Sequence, residues 1–186
     1  MLAYQFVATR SVELTGLRFP FPLKWYAERG FLRISNEGRG ELLFQGGNAD
    51  VRVEESFDIR MTPDETGAVA GRLELDLTVK SALTEPEWGD LAAAYSGSRR
   101  GFGVALTQNM FQLPRYAWTL EKVASKLDIK PRALQMTLFR ECYSFDSALR
   151  RCRQLDMLLQ EGNSYCDCLI FERVAEKQVS YALKQA

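Results

Sequence analysis

Residues 119–140 read TLEKVASKLDIKPRALQMTLFR, and the spacing predicts two short helices joined by a tight turn. Thr119 is placed to cap a helix that starts at Leu120, because its hydroxyl can accept a hydrogen bond from a first-turn amide that lacks a partner within the helix. Leu120, Val123, Ala124 and Leu127 recur at i, i+3, i+4 and i+7, which makes one apolar stripe. Ala124 puts a small side chain in that stripe, so a second helix can cross closely there. Asp128-Ile129-Lys130 forms the connector, with Ile129 able to plug the angle between the helices. Pro131 suits the first position of the second helix, where its missing N–H costs nothing. Leu134 and Leu138 then face inward and leave Arg132, Gln135, Met136 and Arg140 on the outer face. Arginine and glutamine on such a face are the side chains that read base edges and grip phosphates.

Upstream the period is two. From residue 51, Val51, Val53, Phe57, Ile59 and Met61 share one face, and Arg52, Glu54, Asp58 and Arg60 share the other. Glu55 interrupts the apolar face, so a bulge or a strand end is expected there. Leu73, Leu75, Leu77 and Val79 alternate with Arg72, Glu74, Asp76 and Thr78 in the same way. The turn-forming residues 62–67 lie between these runs, and the pair reads as a hairpin. A second hairpin is expected around residues 36–40, flanked by Phe31–Ile34 and Leu42–Phe44. Strands in this order suggest a meander, sandwich or small barrel. The aromatic residues Phe6, Phe19, Phe21, Trp25, Tyr26, Phe31, Phe44 and Phe57 would line a small-ligand pocket or, the favoured reading, pack the core. Glu85-Pro86-Glu87-Trp88 opens a helix through Tyr95, and residues 96–101 read as a loop containing Gly97 and Gly101, with Gly103 also read as a loop glycine.

Several kinds of chemistry are excluded or left without support. The chain has no histidine, which removes Ser-His-Asp and Cys-His catalysis and His-containing metal sites. Cys166 and Cys168 stand one residue apart, too close for the usual zinc hairpin, and Cys142 and Cys152 fall inside expected helices. All four thiols are expected to be idle. No converging acid pair is indicated. Glu74 and Asp76 are expected to be solvated on a strand's polar face, and Glu85 and Glu87 to flank a helix start, where negative charge suits the dipole. No catalytic role and no cofactor are expected. Charge cancels overall at 24 basic and 24 acidic residues, but residues 114–160 hold nine basic groups against five acidic ones, a net +4. A phosphate-facing segment attached to a neutral or acidic partner domain would show that asymmetry. No secretory leader and no apolar run of about 18 residues is seen, so a cytoplasmic protein without membrane contact is expected.

The helical segment is similar to the first helix-turn-helix of AraC/XylS-type transcription regulators. The likeness rests on residues 119–124 and Leu127, then on residues 131–135 and Leu138. It continues through Arg140-Glu141, Ser144-Phe145, Leu149, Arg153 and Leu158-Leu159, which match the end of that motif and its linker helix. The resemblance implies transcription regulation, with the second helix entering a DNA major groove. It carries base contacts onto Arg132, Gln135 and Met136 and a phosphate contact onto Arg140. The family usually has serine at the place of Lys130, arginine at Met136 and glycine at Cys142. It also has a second helix-turn-helix after the linker helix, whereas 26 residues follow residue 160 here. Phe171, Val174, Ala175, Val179 and Ala182 in that tail space as a helical stripe, without a second reading helix that can be placed.

The resulting expectation is an α+β protein. Residues 1–96 form a mainly antiparallel β domain that senses a small-molecule effector or dimerises, and residues 114–186 form an all-α helix-turn-helix domain. Its partners would be double-stranded DNA and a second copy of itself. The alternative is a module that pairs with another regulator without touching DNA.

Overall fold

Alternating side chains place one face of most first-half strands in a core. The computed structural model describes residues 1–36, 39–77, 83–97, 101–160 and 168–174. Eight strands come first: β1 (Leu2–Ala8), β2 (Val12–Arg18), β3 (Leu23–Arg29), β4 (Phe31–Asn36), β5 (Arg39–Leu43), β6 (Asn48–Val51), β7 (Ser56–Thr62) and β8 (Val69–Leu75). Five helices follow: α1 (Trp88–Ser96), α2 (Phe102–Gln112), α3 (Leu120–Lys126), α4 (Pro131–Arg140) and α5 (Phe145–Leu159), and then a last strand, β9 (Leu169–Val174). The protein is therefore α+β, with antiparallel sheets leading and helices after them. Two compact units form, one from Met1–Val79 with Met157–Ala186 and the other from Lys80–Asp156.

In the first unit the strands make two sheets, ordered β6-β3-β8-β1-β9 and β2-β7-β4-β5. The antiparallel pairs β1·β8, β2·β7, β3·β6 and β4·β5 are nested one inside the next. A long hairpin folded over on itself gives this pattern, the eight-stranded jelly roll. The β4–β5 hairpin at its tip pairs Leu32 with Leu43, as the sequence suggested. The hairpin expected between residues 51–61 and 73–79 does not form. β7 pairs with β2 and β4, whereas β8 pairs with β1 and β3. The turn at 62–67 carries the chain from one sheet to the other. Alternation alone could not reveal this, because both strands need only a buried face and either partner supplies one.

The break at Glu55 separates two strands. Its carboxylate accepts from the Arg52 amide at 2.9 Å and Glu54 adopts φ 60°, so β6 ends at Val51 and Val53 is left exposed. Strand β8 starts earlier than expected and ends at Leu75, and Val79 lies outside the described residues.

The core between the sheets is rich in aromatic rings. Phe6, Trp25 and Phe171 are buried, with ring centroids 5.4–6.4 Å apart, and Phe19 stacks near Phe57 at 6.3 Å. Phe21 is buried as well, so core packing accounts for five of the eight aromatics. Tyr26 is half-buried on the outer face, and Phe31 and Phe44 meet edge to face on the surface. Phe171 belongs to β9, which pairs antiparallel with β1 in the register Phe6↔Phe171. The all-α expectation for residues 114–186 is corrected by this strand. Phe171 and Val174 are strand residues and not part of a helical stripe, while Ala175, Val179 and Ala182 lie outside the described residues. A helical reading failed here because a six-residue strand with apolar Leu169 and Phe171 is too short for its period to be told from 3.6.

The expected linker between residues 96 and 114 also contains a helix. α2 buries Phe102, Gly103, Leu106, Thr107, Asn109, Met110 and Phe111 and lies at the heart of the second unit, so Gly103 is a helix residue and not a loop glycine. Its Phe102, Leu106 and Met110 repeat every four residues, a signal hidden by the glycines before them. α1 spans the helix expected from Trp88.

Two outcomes follow from this packing. A Cβ at Gly71 would lie 2.1 Å from the Tyr26 carbonyl oxygen and 2.6 Å from the Phe6 ring, so Gly71→Ala should destabilise the β unit by about 1–3 kcal/mol in denaturant unfolding. In the 62–67 turn, the Asp64 carboxylate accepts from the Thr66 hydroxyl and from Arg29, which lowers its pKa from 3.8 to about 2. The folded pKa lies below the ordinary value, so its stabilising effect is complete above about pH 4 and is lost as pH falls through about 2. Carboxyl NMR titration should find that midpoint, and Thr66→Val should move it upward.

Candidate nucleic-acid interface

The site is the α3–turn–α4 pair, and its parts can be followed from residue to geometry. Thr119 caps α3 as expected, with φ −137° and ψ 153° and its hydroxyl accepting from the Lys122 amide at 3.1 Å. Val123 and Ala124 are fully buried, and Leu120 and Leu127 are half-buried. The helix ends in a Schellman motif. Ile129 N–H donates to Ala124 C=O at 3.0 Å and Asp128 N–H to Ser125 C=O at 3.2 Å, with Asp128 in the left-handed region at φ 54°. That motif is the turn, and it uses an aspartate where backbone strain is tolerable.

Pro131 occupies the start of α4, and Lys130 at the cap position makes no side-chain hydrogen bond to the helix. α4 ends in a second Schellman motif. Tyr143 N–H reaches Leu138 C=O at 2.9 Å and Cys142 N–H reaches Phe139 C=O at 3.0 Å, with Cys142 at φ 64°. Glycine would occupy that conformation without a Cβ penalty, and glycine is what the resemblance places there.

The C-terminal end of α4 is locked to α2 by a contact that the sequence did not reveal. The Glu141 carboxylate accepts from the first amides of α2, at 3.1 Å from Gly101, 3.3 Å from Phe102 and 2.7 Å from Gly103. A carboxylate on these unpaired N–H groups also meets the positive end of the helix dipole. Alongside it the Tyr143 ring packs against Gly103, where a Cβ would come within 2.3 Å of the ring. Glu141 and Tyr143 are separated from the start of α2 by some 40 residues, so only the fold shows the pairing.

The anchoring leaves one face of α4 outward. Leu134 and Leu138 are buried, and Arg132, Gln135, Met136 and Arg140 are all exposed together on the opposite side. Phe139 joins them at 73% exposure, the most exposed large apolar side chain among the described residues, and it was not among the residues expected from sequence. Its signal was available: it stands seven residues after Arg132 and three after Met136. α4 contains no carboxylate, and the one that follows it is engaged with α2. On α3, Lys122 sits over the Tyr116 ring at 4.0 Å and Lys126 over the Trp88 ring at 5.7 Å. Arg153 donates to the Pro114 carbonyl at 3.2 Å.

A concavity lies on the outer face of the five-stranded sheet. It has a volume of about 260 Å³ and is lined by Lys24, Tyr26, Asp50, Glu74 and Asp76 with Met1, Pro22 and Leu23. Lys24 and Asp50 pair at 3.2 Å, which raises the lysine pKa. Burial, then Glu74, raises that of Tyr26, whose ring carries Arg72 at 4.6 Å. Glu74 is only 12% exposed and pairs with Arg72 at 3.1 Å, so it is not the solvated strand residue expected from its alternation. Among the described residues no group of three His, Cys, Asp or Glu side chains could hold a metal ion, and no helix is long and apolar enough to cross a membrane. Cys142 is exposed, and the buried Cys152 thiol reaches the Thr107 carbonyl.

No protein-family model matches the sequence, and no curated protein matches it. Similar solved structures include a protein of unknown function from Vibrio parahaemolyticus, 20% identical over 39% of this chain and 72% of that one, at a TM-score of 0.33. A Cupin 2 conserved barrel domain protein from Salinispora arenicola is 11% identical over 38% of this chain and 58% of that one, also at 0.33. An HTH_3 family transcriptional regulator from Vibrio cholerae is 6% identical over 41% of this chain and 43% of that one, again at 0.33. This chain thus spans less than two thirds of the latter two. At such identities and TM-scores the likeness does not reach to a shared activity.

The two helix ends give direct tests. Cys142→Gly should stabilise the helical unit by about 1 kcal/mol by relieving the left-handed strain. Glu141→Ala should destabilise it by about 1–3 kcal/mol, since three α2 amides are then left without a charged acceptor. Thermal unfolding followed by circular dichroism would register both.

Proposed function

We propose that this protein is a sequence-specific DNA-binding transcription regulator resembling the AraC/XylS type, with α4 as its reading helix. The observation that carries the reading is the division of α4. Leu134 and Leu138 are buried on one side, while Arg132, Gln135, Met136 and Arg140 stand exposed on the other, with no acidic residue between them. Arg132 and Gln135 offer the bidentate donors and acceptors suited to guanine and adenine edges, and Arg140 suits a phosphate. The net positive charge of residues 114–160 supports phosphate attraction.

Residues 169–174 are spent on β9 and not on a second reading motif. Among the described residues one helix pair of this kind is found, and a single pair makes few contacts for operator affinity. A homodimer would bring two to neighbouring half-sites. In this reading the jelly roll dimerises or senses a small-molecule effector. The hollow around Tyr26 suits an effector better than the interior does, because aromatic side chains pack the interior. The setting would be the cytoplasm, where DNA is reached.

A second reading has its own support. Phe139 and Met136, 73% and 46% exposed, put apolar surface at the centre of the α4 face. That surface would also suit a protein partner, making the chain a module that pairs with another regulator without contacting DNA.

Binding of the full chain to genomic fragments separates the two. Arg132→Ala with Gln135→Ala should leave the thermal midpoint almost unchanged, as both residues are exposed, yet each truncation should cost about 1–3 kcal/mol of discrimination between bases. Leu138→Ala should lower stability by about 2–5 kcal/mol. Wild-type binding should weaken steeply with salt. If no fragment is retained at low salt, or the double variant binds like wild type, the DNA reading falls and co-purifying protein partners take its place.

A further inference from the structure

The centre of the α4 outer face is apolar, and this gives the reading helix a definite preference. Arg132 and Phe139 lie seven residues apart, two turns along the helix, and are rotated by only about 20° from one another. Gln135 and Met136 flank the line between them. All four are exposed, as is Arg140 beyond. From Arg132 to Phe139 the helix rises about 10.5 Å, close to three base-pair steps of about 3.4 Å. A major groove wide enough for this helix would meet a donor, an amide and two apolar tips in succession. The one apolar group that the major groove presents is the C5 methyl of thymine.

We propose that Met136 and Phe139 are specificity-determining residues that pack against thymine methyl groups, so that the site is read by methyl packing as well as by hydrogen bonding. The inference rests on the DNA reading above and deepens it by naming the base. Charge favours duplex DNA as the occupant: Arg132 and Arg140 bracket the apolar tips, α4 carries no carboxylate, and Glu141 is turned onto the α2 amides. An acidic polymer is attracted to such a border.

The test uses the full chain and a randomised DNA duplex library. The tightest-binding duplexes are selected at low salt, and each is then remade with uracil in place of thymine, which removes only the C5 methyl groups. Wild type should bind the uracil versions about 4-fold more weakly for each packed methyl removed, and roughly 15-fold where both side chains engage. Met136→Ala with Phe139→Ala should bind both versions equally. Phe139→Leu, which keeps an apolar tip, should retain most of the discrimination. Arg132→Ala should weaken both versions while leaving their ratio unchanged. Unchanged thermal midpoints show that the variants fold. If wild type selects duplexes but holds thymine and uracil versions alike, or if the double alanine variant still discriminates, methyl reading is overturned and the DNA reading stands. If no duplex is retained, both fall. A change in sedimentation caused by Phe139→Ala without any duplex binding would assign the face to a protein partner and overturn the inference.

Discussion

Glu141 on the first amides of α2 is the interaction on which the candidate interface depends. Helix α4 has no side-chain cap at its start, and the turn that closes it puts Cys142 in the left-handed region. Orientation comes instead from the tertiary clamp. Leu134 and Leu138 are buried on the inner side, and Glu141 fixes the C-terminal end against a helix that begins some 40 residues earlier. Tyr143 packs closely on Gly103 beside it. A reading face must be held by rigid packing beneath it to discriminate bases. In α4 the buried side chains Leu134 and Leu138 lie on one side, and Arg132, Gln135, Met136, Phe139 and Arg140 are exposed.

The β unit meets a different constraint. Nested pairing brings β1 against β8, strands separated by more than sixty residues, before the chain can bury either face. The chain then returns after five helices so that β9 can add Phe171 to Phe6 and Trp25. Long-range closure of this kind carries a large loop entropy, and the close-packed aromatic core offsets it. Packing of this density also explains Gly71, whose missing side chain admits the Phe6 ring. It leaves the polar groups of this unit on the outer sheet face, where Lys24, Tyr26, Asp50 and Glu74 line a shallow hollow.

Much of the architecture was legible because it is local. The Thr119 cap, the burial of Ala124 and the Pro131 start each depend on neighbours within one turn, where period and stereochemistry decide. The exposed set Arg132, Gln135, Met136 and Arg140 follows from the same 3.6-residue period once Leu134 and Leu138 are buried. Phe139 escaped because a phenylalanine is ordinarily counted inward, and its exposure shows only when the inward side is already filled.

The sequence by itself determined the strands around residues 31–34, 42–44, 57–61 and 73–75, most of the helices, the hairpin of β4 and β5, and which side of α4 faces out. These follow from periodicity and from caps that involve residues a few positions apart. Only the tertiary structure decided that β7 and β8 join different sheets, that residues 169–174 return as a strand, that the segment after Gly101 is a central helix, and that Glu141 caps it. In each case the partner lies far along the chain. Hydrogen bonding and burial are satisfied equally well by many distant groups, and nothing in a local pattern says which one the fold will bring near.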